Sequence, residues 1–437
     1  IKDPLTGEII KEQNATEIFD QIIEGAWKNG EPGVVFVDWV NHKNPTPHLG
    51  EMTATNPCGE QPLLPYESCN LGSINLDKFV IKNNSTKEID WSHLGEVVRT
   101  SARFLDNVID ANSYSVDKIK KMTRSTRKTG LGVMGFADLL IDLNIAYNSE
   151  EGLNLGRKIM NFIKDEADST SEQLADERGV FPAYPGSIYD NNDQPKMRNA
   201  CRLTVAPTGT ISMIAGCSSG IEPLFALCYH KHNILGGESL LYVDENFETV
   251  AKEQNFYSKE LMEFLADGGS LQERDDVPES AKNLFVTASD ISPEMHVKMQ
   301  GVFQESVDAA ISKTINFPNS ATKEDVRKAY ILAWELECKG ITVYRSGSRE
   351  KEVLTAGEDK SSENSEAPND VSVDFSLVER QRPSVITGVT ERIRTSQGNL
   401  FVTVNFDENE KPFEVFATLG KAGSTESAHL EAISRLV

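Results

Sequence analysis

The sequence predicts an α/β body followed by a small, separate α+β module. Three observations predict it. Up to about residue 350, helical periodicities alternate with short β-branched runs, helices outnumbering strands. Between Glu358 and Glu379 the chain has seven acidic residues and one Lys among Ser, Asn and Pro, the composition of a flexible linker. Beyond 380, three alternating segments precede a helical pattern, as in a three-stranded meander plus a helix. The expected organisation is a body over 1–354, a linker over 355–379 and a module over 380–437.

The elements follow in order. Residues 14–29 read as a helix capped by Asn14 or Thr16, with Ile18, Ile22 and Ala26 on one face. Residues 33–37 form an apolar run, as in a buried strand. Five prolines between 41 and 75 (Pro45, Pro47, Pro57, Pro62, Pro65) forbid a regular helix or central strand there. A structureless segment that long in a compact domain is usually functional. Helices are predicted at 91–111, 133–143 and 149–178, the last capped by Ser149 with Glu150 and Glu151 in its first turn. Residues 203–206 read as a strand before Pro207-Thr208-Gly209-Thr210. Residues 314–317, 322–338 and 341–344 make a βαβ unit, its helix capped by Thr322. Strands are predicted at 384–395, 400–406 and 412–418, and a last helix capped at Ser424.

Composition narrows the function. The 437 residues carry a net charge of −23, so bulk charge will not draw the chain to nucleic acid or an anionic membrane. An anionic ligand needs a local pocket. No run approaches the roughly 18 apolar residues of a membrane span, and no basic-then-apolar segment opens the chain. Six Cys without a CxxC pair point to a reducing cytoplasm. The chain opens on Ile1 and stops at Val437 inside a helical pattern, which reads as a piece of a longer protein.

Chemistry concentrates in two places. In Asn56-Pro57-Cys58-Gly59-Glu60, two-residue spacing in extended chain would turn a carboxamide, a thiol and a carboxylate to one side. Cys58 offers a nucleophile or hydrogen-atom donor, Glu60 a general base and Asn56 a neutral clamp. Eleven residues on, Cys69 could fold back as a second redox thiol, or simply pack as a small apolar residue. Pro207-Thr208-Gly209-Thr210-Ile211-Ser212 follows a strand and opens a helix. Free N–H groups, three hydroxyls and a Gly make it a candidate phosphate seat, though such residues also make ordinary caps. Gly130-Leu131-Gly132-Val133-Met134-Gly135 reads as a turn before a helix, explained by close helix packing more readily than by nucleotide binding. His230 and His232 have no further ligand at metal spacing, so no metal site is expected. Cys201, Cys217, Cys228 and Cys338 read as structural, and Met295 and Met299 as core.

The segments Ala54–Leu63 (ATNPCGEQPL) and Ser68–Leu76 (SCNLGSINL) closely resemble the finger loop of class II, adenosylcobalamin-dependent ribonucleotide reductases. Gly130–Leu140, Ala206–Ser212 and Gly340–Arg349 resemble the same family in the same order, and the module after 380 resembles a small domain often attached to it. The resemblance implies the second half of a ten-stranded α/β barrel, with a finger loop over about 41–75. It implies that Cys58 carries a thiyl radical, that Glu60 exchanges the proton of the ribose 3′-hydroxyl and that Asn56 binds the ribose. Cys69 would be one of two reducing thiols, Thr208 to Ser212 would seat the substrate phosphates, and Tyr344 would lie at the cofactor.

The implied reaction begins with homolysis of the cofactor's cobalt–carbon bond to a deoxyadenosyl radical, which takes hydrogen from Cys58. The thiyl removes the 3′-hydrogen of a ribonucleotide, the 2′-hydroxyl leaves as water and the thiol pair is oxidised. The implied partners are a ribonucleotide, nucleotide effectors acting through parts outside this chain, a thiol reductant such as thioredoxin and a second copy of the chain in a homodimer. No residue here matches the partner of Cys69 or the C-terminal thiols that would re-reduce the pair, so the chain alone is not expected to turn over. Three alternatives stand beside this reading. A class I reductase would use a separate radical-generating subunit and usually shows adjacent tyrosines, whereas Tyr344 stands alone. A non-catalytic nucleotide-binding paralogue gives no reason for Asn56, Cys58 and Glu60 to coexist. A plain thiol oxidoreductase would be expected to carry CxxC.

Overall fold

The computed structural model describes residues 1–3, 5–83, 86–193, 195–234, 238–348, 387–395, 398–406 and 412–419. It divides into two units, Ile1–Ser362 and Glu363–Val437. The predicted linker at 355–379 and the helix capped at Ser424 lie outside the described residues.

The first unit opens with α1 (Ala15–Asn29). Asn14 caps it by accepting from the Thr16 N–H, and Gly30 ends it in the left-handed region at φ 83°. Its buried face is Ile23 and Ala26, while Ile18 is exposed. The apolar run at 33–37 yields only β1 (Val34–Val35), because α2 (Val37–His42) starts at once. The Pro-rich stretch holds the small antiparallel pair β2 (Ala54–Thr55) and β3 (Pro62–Leu63), then β4 (Asn70–Asn75). Next come the hairpin β5 (Val80–Asn83) and β6 (Thr86–Ile89), then α3 (Trp91–Ala111) and α4 (Asp117–Thr126).

The Gly-rich run is not a turn. It is β7 (Thr129–Met134), buried along its whole length and parallel to β4, with Asn70 opposite Thr129 and Asn75 opposite Met134. The glycines serve packing. A Cβ on Gly130 would lie 2.6 Å from Gln61 Nε2, and one on Gly132 would run into the Thr204 carbonyl oxygen. The turn comes one residue later, at Gly135 with φ 72°, before α5 (Phe136–Asp142). The 29-residue α6 (Glu150–Arg178) is capped by Ser149 through the Gly152 N–H.

After α7 (Gly209–Ala215) the chain forms a hairpin, β8 (Cys228–Ile234) and β9 (Glu238–Val243). The helices α8 (Glu245–Glu253), α9 (Lys259–Ala266), α10 (Glu279–Leu284) and α11 (Pro293–Gln304) follow. The predicted βαβ unit is present as β10 (Thr314–Phe317), α12 (Lys323–Glu335) and β11 (Gly340–Arg345). Its strands are parallel, and Thr322 and Asp325 form a reciprocal capping box.

Ladders and isolated bridges link these strands side by side in parallel. β4 pairs with β7, Leu131 bridges Leu203, Val205 bridges Ile311, and β10 pairs with β11. The two-residue β1 closes the far edge, antiparallel to β11. Five parallel lines result, the number a half-barrel requires. Both faces are covered, as parallel sheets demand. Outward, Leu131, Val133, Leu203 and Val205 pack with Leu105 and Ile159 of the helices. Each such side chain contributes about 1.5–3 kcal/mol on full burial. Inward, the array meets the loop between β2 and β3.

In the second unit, β12 (Thr387–Thr395), β13 (Gly398–Phe406) and β14 (Pro412–Leu419) form the predicted antiparallel meander.

Candidate active site

The loop of Asn56 to Gln61 is closed by local bonds. Asn56 Oδ1 accepts from the Gln61 N–H at 3.0 Å, and the Gly59 N–H donates to the Asn56 carbonyl at 3.1 Å. Gly59 sits at φ 82°, where a side chain would be strained. This turn breaks the expectation that Asn56, Cys58 and Glu60 share one side, since the chain is not extended there. Cys58 is exposed at the tip, whereas Glu60 is 2% exposed. The Asn56 carboxamide ties the loop through its oxygen.

The body holds the loop through backbone. The Glu60 carbonyl accepts from Thr204 Oγ1 at 2.8 Å and from the Ala310 N–H at 2.9 Å. Thr204 was not singled out from the sequence, but alternation along 203–206 points it inward, opposite to Leu203 and Val205. Glu60 Oε2 and both amide atoms of Gln61 are buried with no protein partner among the described residues.

Partial burial and, next, the Glu60 carboxylate raise the Cys58 thiol above its ordinary range. The S–H therefore stays intact near neutral pH. Cys69 lies just before β4, and its Sγ donates to the Asn70 carbonyl at 3.2 Å. Burial pushes this thiol well above its usual value. Cys201, Glu67 and Glu60 add to the rise, and Lys128 opposes it. Cys58 and Cys69 are thus brought to one loop system in different settings, one at an exposed tip and one half-buried.

The phosphate-seat candidate is only partly as expected. Thr208 adopts φ 53° and does not cap α7 with its side chain; its Oγ1 accepts from the Gly220 N–H at 2.8 Å. Ser212 is buried, and its hydroxyl pairs with Ser219 at 2.8 Å. Gly209, Thr210 and Ile211 are exposed and Pro207 is half-buried. Two of the three predicted hydroxyls therefore brace the loop, and Thr210 is the one left exposed.

Beside this loop opens a cleft of about 600 Å³. Ser212, Cys217, Ser218, Glu222, Asn316 and Tyr344 are among its walls. Cys58, Glu60 and Cys69 are not. Cys217, read as structural, is half-buried in the cleft wall, its thiol pushed up to about 11 by burial and Asp138. Cys201, Cys228 and Cys338 are buried, Met299 is fully buried and Met295 packs against the core. Among the described residues no cluster of three or more metal-ligating side chains occurs. None of the described helices is long and apolar enough to cross a membrane.

Fold and loop together define a class: an α/β half-barrel that clamps a thiol-bearing loop against its inner face. The family model for the ribonucleotide reductase barrel domain matches residues 5–196 and 193–344, and that for the TSCPD domain matches 373–437. A vitamin B12-dependent ribonucleoside-diphosphate reductase of Thermoplasma acidophilum is 54% identical over 355 residues, 81% of this chain and 45% of that protein. One of Mycobacterium tuberculosis is 45% identical over 358 residues, 82% of this chain and 51% of that protein. In fold, the chain is similar to the class Id ribonucleotide reductase alpha subunit of Actinobacillus ureae. The TM-score is 0.64 at 24% identity, covering 76% of this chain and 61% of that one. The chain belongs to the ribonucleotide reductase family. It spans about half the length of the curated relatives it matches.

Proposed function

We propose that this chain carries the thiol and base chemistry of a cobalamin-dependent ribonucleotide reductase, which converts a ribonucleoside di- or triphosphate to the 2′-deoxy form. The observation that carries the reading is the clamped loop. It presents a protonated thiol, Cys58, at an exposed tip and buries a carboxylate, Glu60, two residues away. Hydrogen-atom transfer needs an intact S–H bond, so a raised thiol suits this task and would hinder a thiolate nucleophile.

In this reading the Cys58 thiyl takes the 3′-hydrogen of the ribose while Glu60 takes the 3′-hydroxyl proton. The 2′-hydroxyl leaves as water, and Cys69 with a second thiol of the enzyme gives up two electrons and two protons to form a disulfide. Cys58 then returns the hydrogen to C3′. Asn56 Nδ2 donates to the ribose, and the exposed backbone at Gly209 to Ile211 receives the phosphates.

The cofactor is supported by the relatives' names and by the cleft. Its volume suits a nucleoside-sized group, Tyr344 stands in its wall, and Met213 is 76% exposed beside it, an apolar surface for part of a macrocycle. Adenosylcobalamin, when bound, supplies the radical. An external dithiol is the proposed reductant.

The test is deoxynucleotide formation by the enzyme containing this chain, with adenosylcobalamin or the dithiol withheld in turn. Dependence on both is expected. Full activity without a cobalamin would overturn the reading.

A further inference from the structure

The body contains an ion pair that stability does not explain. Lys128 Nζ lies 2.7 Å from Glu67 Oε2, with side chains 2% and 0% exposed. Burying two charges costs several kcal/mol per ion before their attraction is counted, and apolar replacements of such pairs are often neutral or stabilising. The pair's position is informative. Glu67 stands two residues before Cys69, and its Oε2 also accepts from the Leu64 N–H at 2.8 Å, which shapes the return of the finger loop. Lys128 stands one residue before β7, whose first residue pairs with Asn70. Cys69 and Lys128 therefore begin two adjacent parallel lines side by side. The segment is fixed again at Ser68, whose hydroxyl lies 2.6 Å from Thr123 Oγ1, and at Asn70, whose Nδ2 donates to the Leu105 carbonyl at 2.8 Å.

We propose that Lys128 is a positioning residue for Cys69: anchored by Glu67, it locks the loop return to β7 and sets an ammonium group beside the sulfur, where it stabilises the thiolate that disulfide exchange requires. The proposal rests on reading Cys69 as a reducing thiol. In the exchange, one thiolate of an external dithiol attacks the disulfide that Cys69 shares with a second enzyme thiol, bonding to the partner sulfur. Cys69 leaves as a thiolate and takes up a proton. The dithiol's second thiolate then closes on the mixed disulfide, releasing the partner thiol, and two electrons have passed to the enzyme. Of the groups that act on the Cys69 sulfur, Glu60 in the loop, Glu67 on the loop return and Cys201 beside β7 all oppose the thiolate. Lys128 favours it.

The test reads the thiol without turnover, so it can fail while the redox role of Cys69 stands. The chain is alkylated with iodoacetamide between pH 7 and 10, and each cysteine is quantified by mass spectrometry, with Cys58 as internal reference. Lys128→Met is expected to slow Cys69 alkylation severalfold relative to Cys58 across this range, because less thiolate is present at each pH. Lys128→Arg should restore the profile and Glu67→Gln should speed the reaction. Should Lys128→Met fold poorly, the double variant Lys128→Met/Glu67→Gln removes both charges and should still react more slowly than the natural chain. An unchanged Cys69 alkylation rate between pH 7 and 10 in a folded Lys128→Met or double variant would overturn the proposal. The separate reading of Cys69 fails only if Cys69→Ser in the whole enzyme sustains repeated turnover.

Discussion

The finger loop and the cleft wall hold their polar groups in opposite ways. In and beside the cleft wall most polar groups answer one another: Thr208 with Gly220, Ser212 with Ser219, and Glu222 with Lys313 at 2.6 Å and with the Thr314 N–H, while Ser218 Oγ has no partner among the described residues. Behind it, Lys313 donates to His296 Nδ1 at 3.1 Å, and His296 Nε2 donates to the Ala288 carbonyl at 3.0 Å. In the loop, the backbone of Glu60 is clamped by Thr204 and Ala310, while its Oε2 and the Gln61 amide have no protein partner among the described residues. The difference teaches where rigidity and reactivity are divided. The wall is a mostly paired network that fixes geometry. The loop is fixed by its backbone, so that its side chains keep their hydrogen-bonding capacity for chemistry.

This comparison can be broken most sharply at Glu60. Glu60→Gln preserves shape and removes the base, and should lower the reduction rate by about 10²–10⁴ with little change in melting temperature. Equal loss of stability and activity would place Glu60 in the structural class with the wall. Next come two glycines. Gly132→Ala drives a Cβ into the Thr204 carbonyl beneath the loop, and overpacking of this kind typically costs about 1–3 kcal/mol. Gly209→Ala meets nothing within 4 Å and should shift stability by less than about 0.5 kcal/mol. Denaturant unfolding of both variants decides it, and similar losses would contradict the description.

The remaining test concerns pH. Burial, then the Lys313 charge, depress His296 to about 3, below its usual 6.5. Between those values the unfolded chain binds a proton that the folded chain does not, so stability falls as pH drops from about 6.5 toward 3, by up to about 1.4 kcal/mol per pH unit. His296→Gln should flatten the melting-temperature profile in that window. An unchanged slope would show that other groups govern acid sensitivity.

Much of the body was legible because its signals are local. Ser149 with Glu150 and Glu151, and Thr322 with Asp325, announce their helices, and the βαβ unit at 314–345 combines two short β-branched runs with one capped helix. Gly130 to Met134 was misread because glycine there answers a tertiary need, the approach of Gln61 and Thr204, which no local pattern records. In the candidate site, the residue types of Asn56, Cys58 and Glu60 were readable from the motif. Their orientation was not, because the left-handed Gly59 turns Cys58 out while Glu60 is buried. Thr204 and Lys128 escaped notice for the same reason: a lone hydroxyl or ammonium in a strand gains meaning only when a distant loop lands on it.

The central claim is that Cys58 relays a hydrogen atom. The most direct measurement is deoxynucleotide formation by Cys58→Ser in the enzyme containing this chain, supplied with adenosylcobalamin and a dithiol, alongside its thermal melting. An O–H bond is much stronger than an S–H bond, so serine cannot serve as a reversible hydrogen-atom relay. Because Cys58 is exposed at a loop tip, the exchange should leave folding intact. The account predicts a normally melting protein that forms no deoxynucleotide; a normally melting protein that turns over at the natural rate would contradict it.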